Sequence, residues 1–212
     1  RIGRKYLTGA IGYGGPCFPR DNVALSFIAR ELGVDAKLAE TTDAANRAIA
    51  AKTVERLLPM IKKGATVAVL GLSYKPFSHV TEESQGVYVA EHLSARGVRV
   101  VAFDPMAKEM QLENLRKHIV VLDTIEECLK QAEAVLITTP DPAFKELTAD
   151  SFKNEWAEVL VFDFWRILQN KLSGAPHIEY VGIGRSENDE ANTARLKKLW
   201  SGNGEEAFKT GK

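Results

Sequence analysis

The sequence contains an unbroken apolar run of strand length, Thr66-Val67-Ala68-Val69-Leu70-Gly71. A run without polar alternation is typical of a strand buried on both faces of a parallel sheet. Shorter or longer runs of the same kind follow at 98–103, 119–121, 134–138, 159–163 and, more weakly, 179–181. Helical stretches are predicted between them, near 82–96, 107–117, 124–132 and 143–155. Alternating strands and helices imply right-handed crossovers, so the sequence predicts an α/β fold with a doubly wound parallel sheet.

The part of the chain before the first strand has a helical pattern. A first helix is predicted from about Pro19 to Leu32, where apolar residues recur at helical spacing, and Gly33 ends it. A second helix is predicted to follow a cap within residues 41–43. Pro59 should kink or end that helix, because proline cannot donate the helical hydrogen bond.

These patterns divide the chain into three parts. Residues 1–63 are predicted to be the end of a helical domain, 64–200 a sheet domain and 201–212 a disordered tail, which is rich in glycine and charge. The helical part is too small and one-sided to stand alone, so its apolar stripe needs either missing chain or a second subunit as a partner.

Composition and charge exclude several classes of protein. Lys and Arg number 28, as do Asp and Glu, so no net field favours nucleic acid. No apolar run approaches the length of a membrane span, no signal peptide is visible, and no metal site is predicted. The two cysteines, Cys17 and Cys128, are far apart; we expect no disulfide, a core position for Cys128, and a reducing, cytoplasmic location. Because the first residue is Arg, the chain is expected to begin inside a longer gene product.

A reactive thiol is one interpretation of the first twenty residues. Four glycines between Gly9 and Gly15 let the backbone approach a ligand closely, and Cys17 follows them. Pro19 suits the first turn of a helix, so the thiol lies at a helix N-terminus, where the dipole favours a thiolate. Asp21 lies one turn further on, within reach of a group bonded to the sulfur. The alternative has about equal weight: the cysteine is a small hydrophobe and the aspartate compensates the dipole.

A second candidate site lies where the strands end. Ligands of doubly wound sheets bind beyond the carboxyl ends of the strands. Tyr74 and Lys75 follow the first strand, and Arg166 follows the fifth, so the two cations would face an anion from one edge. Alternatively, each is a solvated surface charge. The segment 182–184 is only a fragment of a dinucleotide fingerprint and carries no weight.

Three stretches resemble one family. Residues 6–21 are similar to the cysteine signature of the UDP-glucose/GDP-mannose dehydrogenase family, roughly Phe-Leu-x-x-Gly-x-Gly-Tyr-Gly-Gly-x-Cys-Phe-Pro-Lys-Asp, with Tyr6 in place of Phe and Arg20 in place of Lys. Residues 67–76 resemble the start of its C-terminal nucleotide-sugar-binding domain. Residues 162–166 resemble its Asp-x-Arg segment, with the arginine displaced by one position.

The resemblance implies a Rossmann-like C-terminal domain and a covalent mechanism. In this family a nucleotide sugar, here expected to be UDP-glucose, is oxidised twice at its C6 hydroxyl with NAD as cofactor. Cys17 would carry the thiohemiacetal and thioester, and Asp21 would act with water as general base. The implied substrate contacts come from Arg1, Tyr6, Leu7, Tyr13, Gly14, Tyr74, Lys75 and Arg166. Arg20 would lie near NAD, and Arg1 would reach the neighbouring subunit's site, which implies a homodimer.

The sequence is also compatible with other functions. The resemblance also implies that the family's NAD-binding N-terminal domain, which is expected to hold most of the cofactor, and its catalytic Lys and Asn lie upstream of Arg1, so the chain alone is not expected to turn over. Glu82 stands where an arginine commonly contacts NAD, and a carboxylate there would repel the diphosphate. These departures favour a non-catalytic module that binds a nucleotide sugar. The same chemistry on UDP-N-acetylhexosamine or GDP-mannose is a further alternative. A flavodoxin-like or receiver-type domain is disfavoured by Lys75 and Arg166.

Overall fold

A computed structural model describes residue 9, residues 11–107, 113 and 115, residues 119–184 and residues 189–200. The predictions for Arg1, Tyr6 and Leu7 and for a tail over 201–212 lie outside these residues. Most of the helix predicted near 107–117 also lies outside them.

In the described part of the chain before the first strand, at residues 9 and 11–65, there are two α-helices. Helix α1 spans Phe18–Glu31 with Pro19 in its first turn, and the chain turns after it at Gly33, which has a φ of +69°. Helix α2 spans Lys37–Leu57. Its predicted start within 41–43 is wrong: the helix begins one turn earlier, because Glu40 already donates its N–H to the carbonyl of Ala36 and no polar cap is used. The predicted break at Pro59 is confirmed, since α2 ends at Leu57 and a 3-10 turn, Leu58–Met60, follows.

Six parallel strands form one sheet, which confirms the α/β prediction. The strands are β1 Thr66–Leu70, β2 Arg99–Phe103, β3 Val120–Val121, β4 Ala134–Ile137, β5 Val159–Asp163 and β6 Ile178–Gly182. Their order is β3-β2-β1-β4-β5-β6, so the direction of winding reverses between β1 and β4. Every residue of β1, β4 and β5 is buried, which explains why these strands have no polar alternation.

Among the described residues, five further helices accompany the strands: α3 Gln85–Ser94, α4 Ile125–Gln131, α5 Pro142–Lys145, α6 Gln169–Leu172 and α7 Asp189–Trp200. The single helix predicted over 143–155 is wrong. It is divided into α5 and a 3-10 turn, Ala149–Phe152, because Thr148 and Ser151 form a reciprocal capping box that starts a new turn. The helix predicted over 82–96 begins only at Gln85, and residues 81–84 form a loop instead.

Two apolar layers cover the two faces of the sheet. In one layer, Ala50 and Val54 of α2 and Val89 of α3 pack with Val67 and Val69 of β1. The helical part therefore shares a core with the sheet, while the boundary at residue 63 stays a prediction. In the part of the chain that the structure describes, no helix has the length and apolar character needed to cross a membrane.

Candidate functional site

The loops after β1, β4 and β5 lie at one edge of the sheet, which we call the carboxyl edge. Tyr74 and Lys75 follow β1, and Arg166 follows β5. One strand, β4, separates them, so the two strand ends are about 10 Å apart. Arg166 has a φ of +55°, and its Cγ and Cδ lie over Gly182 at the end of β6. The predicted shared edge is confirmed, whereas joint anion binding by the two cations stays a prediction.

The glycine loop, residues 12–15, contacts the loop after β1, residues 71–84, which we call the β1 loop. Gly15 donates its N–H to the carbonyl of Glu82 at 3.0 Å. A Cβ added to Gly14 would come within 2.4 Å of the Glu83 carbonyl oxygen, and one added to Gly15 within 2.6 Å of the Tyr74 ring. Both glycines are therefore needed for the packing of the two loops, and the substrate contact of Gly14 stays a prediction. The two candidate sites of the sequence lie next to each other.

Cys17 is at the N-cap position of α1 and is exposed to solvent. Its carbonyl accepts the N–H of Asp21 at 2.8 Å, which fixes the two residues one helical turn apart, as the sequence predicts. Arg20 and Asp21 are also exposed. The other thiol is different: Cys128 is fully buried, and burial, with the nearby charge of Glu127, raises its pKa to about 12. The exposed Cys17 is thus the thiol that can react, and the core position predicted for Cys128 is confirmed.

The Tyr13 peptide is held by amide side chains that the sequence analysis missed. Asn46 of α2 accepts the Tyr13 N–H on Oδ1 at 3.0 Å and donates Nδ2 to the Tyr13 carbonyl at 2.9 Å. Gln85 of α3 donates Nε2 to the same carbonyl at 3.1 Å. On the other side, Asn22 of α1 donates to the Tyr13 hydroxyl at 2.9 Å. The only sequence signal is an amide residue at a buried position of each apolar helix face.

Asp104, at the end of β2, fixes the beginning of the β1 loop. Its Oδ2 accepts the N–H groups of Leu72 at 2.7 Å and Ser73 at 2.6 Å, and its Oδ1 accepts the Ser73 hydroxyl at 3.0 Å. The next residues are Tyr74, which is half-buried, and Lys75, whose Nζ lies 5.2 Å from the centre of the Tyr74 ring. A cation at this distance is attracted to the ring face, so the pair forms one unit at the carboxyl edge.

The described residues do not fit NAD at the point where the winding reverses. A dinucleotide at such a point places its diphosphate on the N–H groups of the turn after β1. Here the Asp104 carboxylate already accepts those of Leu72 and Ser73. Thr139 donates to the Ser73 carbonyl at 3.1 Å, so the β4 side of the crevice is also filled. Arg20, the residue predicted to lie near NAD, is exposed on α1, and its contact with a cofactor stays a prediction.

The backbone at 82–83, in the loop that departs from the family pattern, supports the glycine loop. Glu83 has a φ of +53° and lies 4.0 Å from Arg47, which also pairs with Asp43 at 2.9 Å. The Asp43 hydrogen bond and charge, and to a lesser extent Glu83, raise the pKa of Arg47. Burial and a hydrogen bond to Glu83 raise the pKa of Tyr88. The Glu82 side chain is exposed at the carboxyl edge.

Comparison with known proteins is consistent with this arrangement. Residues 1–48, which include Cys17, match the central domain of the UDP-glucose/GDP-mannose dehydrogenase family. Residues 68–170, which include Lys75 and Arg166, match the UDP binding domain of the same family.

Curated relatives and solved structures extend the similarity over most of the chain. A UDP-glucose 6-dehydrogenase of Bacillus subtilis is 32% identical over 187 residues, covering 87% of this chain and 42% of that protein. A UDP-glucose 6-dehydrogenase of Rhizobium meliloti is 34% identical over 194 residues, covering 88% of this chain and 43% of that protein. The structure of a UDP-glucose dehydrogenase from the hyperthermophilic archaeon Pyrobaculum islandicum has a TM-score of 0.68 and 30% sequence identity. The match covers 88% of this chain and 41% of that one.

The chain therefore spans less than half the length of these relatives. Its two domain matches follow one another and together contain the cysteine loop and the carboxyl edge. This chain belongs to the UDP-glucose/GDP-mannose dehydrogenase family, of which it comprises the end of the central domain and the UDP-binding C-terminal domain.

Proposed function

We propose that this chain is part of an NAD-dependent dehydrogenase that oxidises the C6 hydroxyl of a UDP-hexose to a carboxylate in the cytoplasm, with UDP-glucose as substrate and UDP-glucuronate as product. The observation that carries the proposal is the contact between Gly15 and Tyr74, because it joins the glycine loop, which ends two residues before the exposed Cys17, to the loop of the UDP-binding domain. The names of the curated relatives support UDP-glucose as the sugar nucleotide.

Cys17 acts as the nucleophile in this proposal. In the first oxidation C6 loses a hydride and its hydroxyl loses a proton, which gives an aldehyde. The Cys17 sulfur adds to this aldehyde, and the carbonyl oxygen takes a proton to give a thiohemiacetal on the enzyme. The thiohemiacetal then loses a hydride from C6 and a proton from its hydroxyl to give a thioester, and water cleaves the carbon–sulfur bond to release the acid and restore the thiol. The acceptor of the hydrides, two per substrate, is NAD. Asp21, one turn from Cys17, serves as general base for the attacking water.

The carboxyl edge binds the UDP part of the substrate in this proposal. Lys75 and Arg166 neutralise the diphosphate from two sides, and the face of Tyr74 packs against the sugar or base. Tyr13 and Gly14 border the sugar, and Arg20 lies towards the cofactor. Arg1, Tyr6 and Leu7 complete the substrate contacts in this proposal.

A homodimer is a second part of the proposal. Three apolar side chains of α1 and the turn after it are largely exposed: Val23 at 47%, Phe27 at 57% and Leu32 at 71%. Apolar patches of this kind commonly mark protein interfaces. A second copy of the protein is the proposed partner, with Arg1 contributing to its site. Sedimentation of the full-length protein tests this, and a Phe27→Asp variant that sediments as the wild type would contradict it.

A non-catalytic binding module is the second candidate function. The exposed Glu82 favours it, because a carboxylate near the glycine loop repels an approaching dinucleotide diphosphate. Other sugars also remain candidates: the structure of a UDP-D-ManNAc dehydrogenase from Pyrococcus horikoshii has a TM-score of 0.63 and 26% identity, covering 83% of this chain and 40% of that one.

The deciding experiment uses the full-length protein. NAD reduction is followed with UDP-glucose, UDP-N-acetylglucosamine and GDP-mannose in turn, and UDP binding is measured by calorimetry. We expect two NADH for each UDP-glucuronate. Binding of UDP without any NAD reduction would establish the binding module, and the absence of both would contradict a nucleotide-sugar site.

A further inference from the structure

The Tyr13 peptide has an unusual set of partners for a loop residue. Its N–H and carbonyl pair reciprocally with one side chain, the amide of Asn46, at 3.0 and 2.9 Å. The carbonyl accepts a second hydrogen bond, from Gln85 Nε2 at 3.1 Å. Asn46 belongs to α2 and Gln85 to α3, so two helices fix one peptide of the glycine loop.

Both amides are buried, Asn46 at 4% exposure and Gln85 at 6%. Burying an amide is unfavourable unless it is hydrogen-bonded. The Gln85 Oε1 atom is buried and has no hydrogen-bond partner among the described residues. Packing alone would thus favour an apolar residue at position 85, and the bonds that Nε2 donates to the Tyr13 carbonyl and, at 3.5 Å, to Asn46 Oδ1 account for the glutamine. Gly12 permits the close fit, since a Cβ there would come within 2.6 Å of Asn46 Oδ1.

Tyr13 also contacts the helix that begins just after Cys17. Its hydroxyl accepts a hydrogen bond from Asn22, and its ring meets the ring of Phe18 edge-on with centroids 6.0 Å apart. The Tyr13 side chain therefore contacts the first turn of α1, directly after Cys17, while the Tyr13 peptide is held by α2 and α3. We expect a shift of the Tyr13 peptide to move the start of α1, and with it Cys17, relative to the β1 loop.

We infer that Asn46 and Gln85 are positioning residues for the Cys17 thiol, acting through the Tyr13 peptide rather than by touching substrate. The inference rests on the proposed function, because covalent capture at C6 requires the sulfur within bonding reach of one carbon. Displacements near 1 Å can cost about 100-fold in rate. A loop without regular hydrogen bonding acquires that precision from side-chain contacts such as these.

The test compares three variants of the full-length protein. Asn46→Asp keeps the side-chain size and the acceptor for the Tyr13 N–H but removes the donor to the Tyr13 carbonyl. Gln85→Met removes the amide at similar length. Asn154→Asp is the matched control: Asn154 also holds backbone by its amide, donating to the carbonyls of Leu129 at 2.9 Å and Ala132 at 3.1 Å, before β4 at the opposite edge of the sheet.

Three quantities are measured: kcat with UDP-glucose, the dissociation constant for UDP, and the rate of iodoacetamide modification at Cys17 by peptide mass spectrometry. We expect Asn46→Asp to lower kcat by about 10-fold or more, to change the Cys17 modification rate by at least about 3-fold, and to leave the UDP constant within about 3-fold. Gln85→Met should act in the same direction to a smaller extent. Asn154→Asp should lower the melting temperature without altering the other quantities.

Equal effects of Asn46→Asp and Asn154→Asp on kcat and on Cys17 modification would overturn the inference, since the amide would then be merely structural. If Asn46→Asp fails to fold, Gln85→Met is compared with Asn154→Asp instead, by kcat and by the rate of Cys17 modification, and equal effects again overturn the inference. If the wild-type protein oxidises no nucleotide sugar, the proposed function fails, and the modification rates alone still decide whether the amides position the thiol.

Discussion

The ring of Tyr74 lies directly against the backbone of Gly15. A Cβ added to Gly15 would come within 2.6 Å of Cε2 and 2.7 Å of Cδ2 of that ring, and the Gly15 φ of +83° is itself unfavourable for other residues. This one contact joins the glycine loop before Cys17 to the β1 loop that carries Lys75. The position of the thiol relative to the carboxyl edge thus depends on the absence of a side chain at residue 15.

Replacing Gly15 with Ala should destabilise the protein and move Tyr74. Gly33→Ala is the matched control, because its φ of +69° is also positive but open space surrounds a Cβ there. We expect Gly33→Ala to lower the free energy of unfolding by about 1 kcal/mol from backbone strain alone. Gly15→Ala should cost about 1–3 kcal/mol more from overpacking and should also weaken UDP binding. Urea denaturation and calorimetry measure both, and equal losses in the two variants would rule out the contact.

Replacing Cys17 with Ser in the full-length protein should abolish acid formation while UDP-glucose binding survives, since binding uses other groups. A serine hydroxyl is far less nucleophilic than a thiolate at neutral pH. Product analysis and calorimetry provide the two readouts. Cys128→Ala, in the core, controls for loss of a thiol as such and should retain activity. A fully active Cys17→Ser enzyme is incompatible with covalent capture at this residue.

Replacing Lys75 with Ala should weaken UDP-sugar binding by roughly 1.5–3 kcal/mol, the scale of a hydrogen bond to a charged group. Lys63→Ala is the control, because Lys63 is also exposed but lies before β1, at the opposite edge of the sheet. The affinity of the wild type should fall with salt more steeply than that of Lys75→Ala. Unchanged calorimetric affinity in Lys75→Ala would remove this lysine from the site.

The strands could be predicted because burial on both faces leaves a plain apolar run, as in β1, β4 and β5. The boundaries of the helices are harder to predict than the strands. The start of α2 at Lys37 uses no polar cap, so the capping residues at 41–43 misled the prediction. Thr148 starts a new turn inside what looks like one helix, because its capping box competes with the helix before it.

The candidate site could be predicted only where the signal is local. The spacing of Cys17 and Asp21 follows from one helical turn, and the shared edge of Lys75 and Arg166 follows from strand direction. The hydrogen bonds of Asn46 and Gln85 to Tyr13 span 33 and 72 residues. No local pattern marks such pairs, since each amide is an ordinary helix residue until the tertiary structure brings the glycine loop to it.

Replacing Asp104 with Asn should disorder the beginning of the β1 loop. Both Asp104 oxygens accept backbone N–H groups, Oδ2 those of Leu72 and Ser73 and Oδ1 those of Met106 and Ala107. Whichever way an Asn amide turns, its nitrogen accepts no hydrogen bond and faces two of these N–H groups. We expect a loss of about 1–3 kcal/mol in the free energy of unfolding and a weaker UDP affinity, since Tyr74 and Lys75 follow directly. Asp150→Asn is the control, because Asp150 is exposed and pairs only at the surface with Lys153. Retained affinity in Asp104→Asn would show that the loop holds its shape without the carboxylate.

The buried Cys128 thiol should make stability depend on alkaline pH. Its pKa is about 12 in the folded protein and near 9 when unfolded, so the unfolded chain loses this proton first as the pH rises. The contribution is complete below pH ~9 and is lost progressively between ~9 and ~12, amounting to about 1 kcal/mol by pH 10. Denaturant unfolding at pH 8 and pH 10 should show this extra loss in the wild type and not in Cys128→Ala. Tyr88, whose pKa is also raised, titrates in the unfolded chain only near pH 10 and above and is common to both proteins, so it cancels in the comparison. The same pH dependence in both proteins would mean that the thiol is not buried as described.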